Sequence, residues 1–353
     1  MYKMLQCGFL LMAATVLLGL SSCKKWLPED RDYLSERAVF TQTEFHPILG
    51  RTTLYSRIYN TDNSTTPITF EITNVRYKKT GKPTDDLAQE YPVWVWKQAY
   101  TGYEKSVEEI NAKREKEDKP LWEIRTHSGD MVLWSSADSN MLEQMPEQGY
   151  LFDVVASNSG GTNVYRDMEL APYREMPYEP NVLDPFTGEV IKIYPVPADS
   201  SIFSRFWIHP VLSNIFGDST DLRMENDSVR VFFRKTGDGN SLSFKFLDKD
   251  STLIDPAKFN RTVWDSLLHG FNVEVTDTAV KYEVAYPIPL VKFPTRFTTS
   301  DGSEASVNFS FDRVGFGNIR QRCTISFAFA IYQKGDWDII FDFYDDNPKF
   351  RDE

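Results

Sequence analysis

From Cys323 to Ile331 the odd positions (Cys323, Ile325, Phe327, Phe329, Ile331) are apolar and mostly large, while the even ones (Thr324, Ser326, Ala328, Ala330) are small. An extended strand separates such an alternation onto two faces, because its side chains repeat every two residues. The pattern recurs along the chain in short segments set between turn residues. Ile68, Phe70 and Ile72 alternate with Thr69, Glu71 and Thr73, and residues 131–134 follow Ser128-Gly-Asp. Residues 150–155 and 162–168 flank Asn158-Ser-Gly-Gly161, the signature of a hairpin. Further on, residues 229–235 turn at Gly237-Asp-Gly-Asn240 into Ser241-Leu-Ser-Phe-Lys-Phe-Leu247, whose Leu242, Phe244 and Phe246 share a face. Residues 271–275, 307–311 and 337–343 continue the series. With 25 Phe, 17 Tyr, 8 Trp, 18 Gly and 19 Pro, the composition also favours strands and turns over helices. The expected fold is all-β, built as two antiparallel β-sandwich domains.

Residues 36–171 are expected to form the first sandwich, which resembles an immunoglobulin-like module with a helical insertion. In that insertion Thr101-Gly-Tyr-Glu104 has capping-box spacing, and Tyr103, Val107 and Ile110 fall on one helical face. Glu109 with Lys113 and Glu115 with Lys119 make i,i+4 pairs, and Pro120 ends the run. Such a helix packs on the sandwich by one narrow stripe or docks a neighbouring protein. Prolines at 172, 177, 180, 185, 195 and 197 mark residues 172–198 as a stiff connector, with a hairpin expected about Asp184-Pro-Phe-Thr-Gly188. Residues 199–353 read as a second sandwich or jelly roll with one covering helix. Asp255 as N-cap, Pro256 at the first position and Gly270 at the end bracket Phe259, Val263 and Leu267.

The N-terminus gives an address. Lys3 precedes an apolar run from Phe9 to Leu20, followed by Ser21-Ser22-Cys23 and then Lys24-Lys25. The run is about a dozen residues, whereas crossing a bilayer takes about 20. It therefore reads as a signal peptide, residues 1–22, rather than a retained anchor. Leu20-Ser21-Ser22-Cys23 resembles the bacterial lipoprotein cleavage signal, which implies lipidation at Cys23 and a polar tether over residues 23–35. Cys7 then leaves with the leader and Cys23 carries lipid, so Cys323 is left with no partner for a disulfide. Its place in an alternating strand makes it a core residue. With 39 Lys and Arg against 51 Asp and Glu, the net charge of −12 offers no cationic track for a phosphate backbone, and nucleic acid is not an expected partner.

No catalytic motif is visible. His46, His127, His209 and His269 are scattered without ligand spacing, and no Gly-x-Ser-x-Gly, Gly-x-x-x-x-Gly-Lys or Gly-x-Gly-x-x-Gly occurs. Asp248-Lys-Asp250-Ser-Thr252 has calcium-loop oxygen spacing but lacks the central Gly and terminal Glu, and reads as a hairpin tip. Asp336, Asp338, Asp342, Asp345 and Asp346 read as a solvated strand edge. No metal or cofactor is expected. A glycosidase needs only two carboxylates that converge in space, so that chemistry stays open. The aromatics supply the binding hypothesis: in Pro92-Val93-Trp94-Val95-Trp96 one face carries both indoles and the other both valines. With the valines inward, Trp94 and Trp96 form an exposed shelf for sugar rings or peptide side chains. With the indoles inward they are core residues opposite Trp122 and Trp134, the arrangement favoured by the usual burial of Trp. These four are the candidate ligand-binding residues.

The lipobox, the tether and the two aromatic-rich β domains together resemble the accessory lipoproteins of SusC/SusD-type nutrient-uptake systems, and more narrowly a Bacteroidota family of outer-membrane lipoproteins of about this size. The resemblance implies a cell-surface, lipid-anchored, non-enzymatic protein that docks on a TonB-dependent importer or captures oligosaccharide or peptide for it. A carboxylate-based glycan hydrolase and a structural or adhesive lipoprotein are the alternatives.

Overall fold

A computed structural model describes residues 32–193, 204–205 and 207–352. The leader, Cys7, Cys23, the tether as far as residue 31, Pro195 and Pro197 lie outside the described residues. Strands account for 42% of the structure and helices for 7%, so the fold is an all-β assembly of stacked sheets. Among the described residues no helix is long and apolar enough to cross a membrane.

Two hydrophobic cores organise it. In the first unit, Thr69–Tyr77, Tyr150–Asn158, Gly161–Leu170 and Glu44–Phe45 form a four-stranded sheet, with the expected hairpin closing at Asn158 and Gly161. Opposite lies a three-stranded sheet of Thr53–Tyr55, Met131–Leu133 and Trp122–Ile124. Phe45 and Phe152 of the larger sheet meet Trp122 of the smaller at ring separations of 5.3 and 6.0 Å. A two-stranded ribbon, Glu90–Trp96 with Arg114–Pro120, covers the far side of the small sheet through Val93 and Val95 against Val132 and Trp134.

The second unit stacks a five-stranded sheet, Arg230–Gly237, Asp336–Asp342, Ser241–Leu247, Val280–Glu283 and Phe271–Val275, on the long hairpin Ala305–Gly315 and Ile319–Ile331. Tyr178–Glu179, from within the proline-rich stretch, pairs with Ile331 and Ala330 of that hairpin. Phe244, Phe246 and Phe341 face Phe309 at 5.0–5.2 Å, and Cys323 is wholly buried among them. Burial pushes its thiol pKa up, as suits an inert core cysteine.

Three local expectations are corrected. The helical insertion shrinks to Val107–Asn111, and residues 114–120 form a strand paired with Glu90–Trp96 in register from Glu90↔Pro120 to Trp96↔Arg114. The i,i+4 pairs that favoured a helix are worth only about 0.2–0.5 kcal/mol each, less than leaving a seven-residue strand without its ladder. Glu104 accepts from Thr101 N and Gly102 N, both at 2.9 Å, as a capping box would, yet the helix starts later, with Ser106 as its N-cap. The covering helix over 255–270 is instead two 3-10 turns, Pro256–Lys258 and Trp264–Ser266. Asp255 does cap the first, but Phe259 leaves the helical region to stack on Phe246, while Val263 is exposed. Finally, residues 229–235 and 241–247 do not pair with each other. Asp336–Asp342 lies between them, antiparallel to the first and parallel to the second, and Asp336 accepts from Gly239 N, Ser241 N and Ser241 Oγ. The expected acidic edge is thus a central strand.

Candidate functional site

The two units meet across a cleft of about 1420 Å3. The segment between the ribbon strands leans onto the second unit, where Val107 and Ile110 pack with Ala285, Leu290 and Phe271. Gly102 holds φ at +76°, and a Cβ there would lie 2.9 Å from Thr295 Cγ2, so the close approach requires glycine. His269 of the second unit stacks on Phe297, hydrogen-bonds Tyr100, and contacts the Glu104 carbonyl at 2.9 Å. Burial holds its imidazole pKa below the ordinary value.

The valines of the ribbon face inward and the indoles outward, so the shelf arrangement forms rather than the core one. Trp94 is 41% exposed and lines the cleft together with Trp96 and Trp134. Trp134 presents little surface, and its indole N–H donates to Glu123 Oε2 at 2.8 Å. Trp122 is not part of the cleft: at 2% exposure it belongs to the first core.

The ribbon register sets a cation against each indole. Lys116 is the cross-strand partner of Trp94 and Arg114 that of Trp96, and residues directly opposite in an antiparallel pair share a face. The Arg114 guanidinium lies 4.7 Å from the Trp94 ring and 5.7 Å from Trp96, with Lys116 at 5.5 Å from Trp94. At 7% exposure Arg114 has no carboxylate partner among the described residues. It bonds Asn111 Oδ1 through Nε (3.0 Å) and Nη2 (2.8 Å), and the Tyr286 carbonyl of the second unit through Nη1 (2.9 Å). Burial lowers its pKa to about 10, so it remains a cation at neutral pH.

Elsewhere in the lining Arg51 lies 3.7 Å over the Tyr332 ring, pairs with Glu179 at 2.7 Å and donates to the Met176 carbonyl. Its buried Nε has no acceptor among the described residues. The two carboxylates lining the cleft each accept from backbone amides through one oxygen. Asp138 accepts from Asn140 N and Met141 N, and Glu175 from Ser139 N at 2.6 Å. Among the described residues no group of three or more His, Cys, Asp or Glu side chains is placed to hold a metal ion.

Sequence reasoning missed Arg114, Arg51, Tyr286 and Tyr332. The signal for Arg114 was present: read as a strand, Arg114, Lys116 and Asp118 alternate onto one face, the face that an antiparallel partner gives to Trp96 and Trp94. The other three come together only through the docking of the two units.

No curated protein and no solved structure matches the chain. One family model spans the second core, most of the first and nearly all of the cleft, leaving out Phe40, Phe45, Leu49 and Ile58 of the first core and the Leu49–Thr52 edge of the cleft. The chain belongs to that family, the domain of unknown function DUF5007, which covers residues 59–352.

Proposed function

We propose that this chain is a lipid-anchored, non-enzymatic lipoprotein of the outer-membrane surface that captures oligosaccharide or peptide in the cleft between its two β units, as an accessory to a SusC/SusD-type TonB-dependent importer. The observation that carries the capture role is the half-exposed Trp94 indole, beside a Trp96 partly buried against Val107, Ile110 and Ala285, within a cleft larger than the ~300–1,000 Å3 usual for small-ligand pockets. That size suits a chain of residues, and indole faces suit sugar rings. The fixed hydrogen bonding of Asp138 and Glu175 supports binding over hydrolysis at that surface. The leader and Cys23 supply the anchor.

The experiment is affinity purification of the tagged, lipidated protein from gently solubilised outer membranes. Co-recovery of a TonB-dependent channel with its lipoprotein lid is expected. Recovery of the protein alone in several detergents contradicts the accessory role.

A second reading, a carboxylate-based glycan hydrolase, is favoured by one observation. Glu304 is pushed above its ordinary pKa by burial and by the charges of Glu179 and Asp301, whereas Glu179 is paired with Arg51. A carboxyl whose pKa is raised in this way is the raw material of acid catalysis. Glycan turnover that disappears in Glu304→Gln would establish this reading in place of the first.

A further inference from the structure

Four of the five aromatic side chains lining the cleft lie against cations. Trp94 carries Arg114 and Lys116, Trp96 carries Arg114, Trp134 carries Arg125 at 5.4 Å, and Tyr332 carries Arg51 at 3.7 Å. Lys292 and Lys334 also line the cleft, both exposed and neither in an ion pair with a described residue. Arg51 and Arg125 are paired with Glu179 and Glu123. Among the described residues Arg114 is buried with neutral partners only, and Arg51 Nε is a buried donor without an acceptor. The lining carboxylates, Asp138 and Glu175, are held by backbone N–H groups. This gathering of cations runs against a chain of net charge −12. Five cations against two carboxylates line the cleft, and a low-dielectric cleft with an excess of one sign concentrates the opposite sign.

We propose that the ligand of the cleft is an acidic oligosaccharide, its rings stacked on the indoles and its uronate or sulfate groups placed against Lys292, Lys334 and the arginines. The inference rests on the reading of the cleft as a capture site and adds the ligand class. A neutral sugar would stack equally well but leave Lys292, Lys334 and Arg114, which have no carboxylate partner among the described residues, without counter-charge. A flexible acidic chain offers anions at regular intervals, as the spread of cations over the lining requires.

The test uses the chain from Lys24 onward, which keeps every described contact. It is titrated by calorimetry with an oligogalacturonate, a sulfated galactan oligosaccharide and a neutral cello-oligosaccharide of equal length, at low and high salt. One or both acidic ligands are expected to bind about tenfold or more tighter than the neutral one, the scale of one charge-assisted hydrogen bond. That margin should shrink as salt screens the charges. The carboxylate and sulfate arms identify which anion is preferred. The double variant Lys292→Gln/Lys334→Gln alters two exposed side chains that make no ion pair with a described residue. It should reduce acidic binding severalfold, leave neutral binding in place and keep the melting temperature. Equal affinity for neutral and acidic ligands, or acidic binding indifferent to both salt and the double variant, overturns the inference while leaving the capture role standing. No binding in any arm overturns both.

Discussion

Arg114 Nη1 donates to the carbonyl oxygen of Tyr286 at 2.9 Å, joining the outer ribbon of the first unit to the loop that follows Val280–Glu283 in the second. The same guanidinium packs beneath the indole shelf, so one side chain fixes both the interface between units and the shape of the cleft wall. Replacing it with Met keeps much of the apolar stem but leaves the Tyr286 carbonyl and Asn111 Oδ1 without their donor. A loss of about 2 kcal/mol is expected in chemical denaturation, together with faster proteolysis between residues 97 and 113.

Gly102 makes a second, steric test of the same interface. Gly102→Ala forces a left-handed conformation on a residue with a Cβ and drives that atom into Thr295. The cost should be about 1–3 kcal/mol, read as local loosening in hydrogen exchange of residues 97–113 while the two cores keep their protection.

The tryptophans divide by role. Trp122→Ala empties a site in the first core packed by Phe45, Tyr55 and Phe152, and should cost about 3–5 kcal/mol. Trp94→Ala removes a half-exposed ring and its cation contacts, worth about 0.5–1 kcal/mol. Thermal melts of the two variants should therefore differ widely, with ligand binding lost in Trp94→Ala, which melts near the parent, and kept by Trp122→Ala below its lowered melting temperature.

Acid should loosen the docked segment before it unfolds the cores. His269 has a folded pKa held below its ordinary value by burial. Its contribution is present above the unfolded value and is lost as pH falls below about 6.5 and through the folded pKa. Burial alone would raise the carboxyl pKa of Glu104, but the Lys113 ammonium and the Thr101 and backbone donors bring it down to about 2. Its contribution is also present above the unfolded value, and fades as pH drops from about 4.5 towards 2. Melting temperature should fall across both windows. His269→Gln should remove the upper step and Glu104→Gln the lower one.

Strand alternation made much of the fold readable in advance, because period two survives in the sequence wherever one face is buried: Leu242, Phe244 and Phe246 lie in the second core as their spacing implies. What stayed hidden depends on distant partners. Nothing local to residues 229–247 announces that Asp336–Asp342 will wedge between two strands that look like a hairpin, since the bonds that hold it there come from Asp336, about a hundred residues away. Residues 114–120 carry helical charge spacing and strand alternation at once, and the tie is broken only by the ladder with Glu90–Trp96. The candidate site was half visible. The orientation of Trp94 and Trp96 turns on which face meets Val132 and Trp134, and the cations opposite them become neighbours only when the ribbon pairs.

The central claim is that the cleft holds ligand on the Trp94 shelf. Its most direct test is a tryptophan-fluorescence titration of the full mature chain and its Trp94→Ala variant with each member of a glycan and peptide panel. The account predicts a saturable emission change with at least one acidic oligosaccharide, abolished in Trp94→Ala at unchanged melting temperature. Saturable binding that Trp94→Ala leaves intact would place the ligand elsewhere on the protein and contradict it.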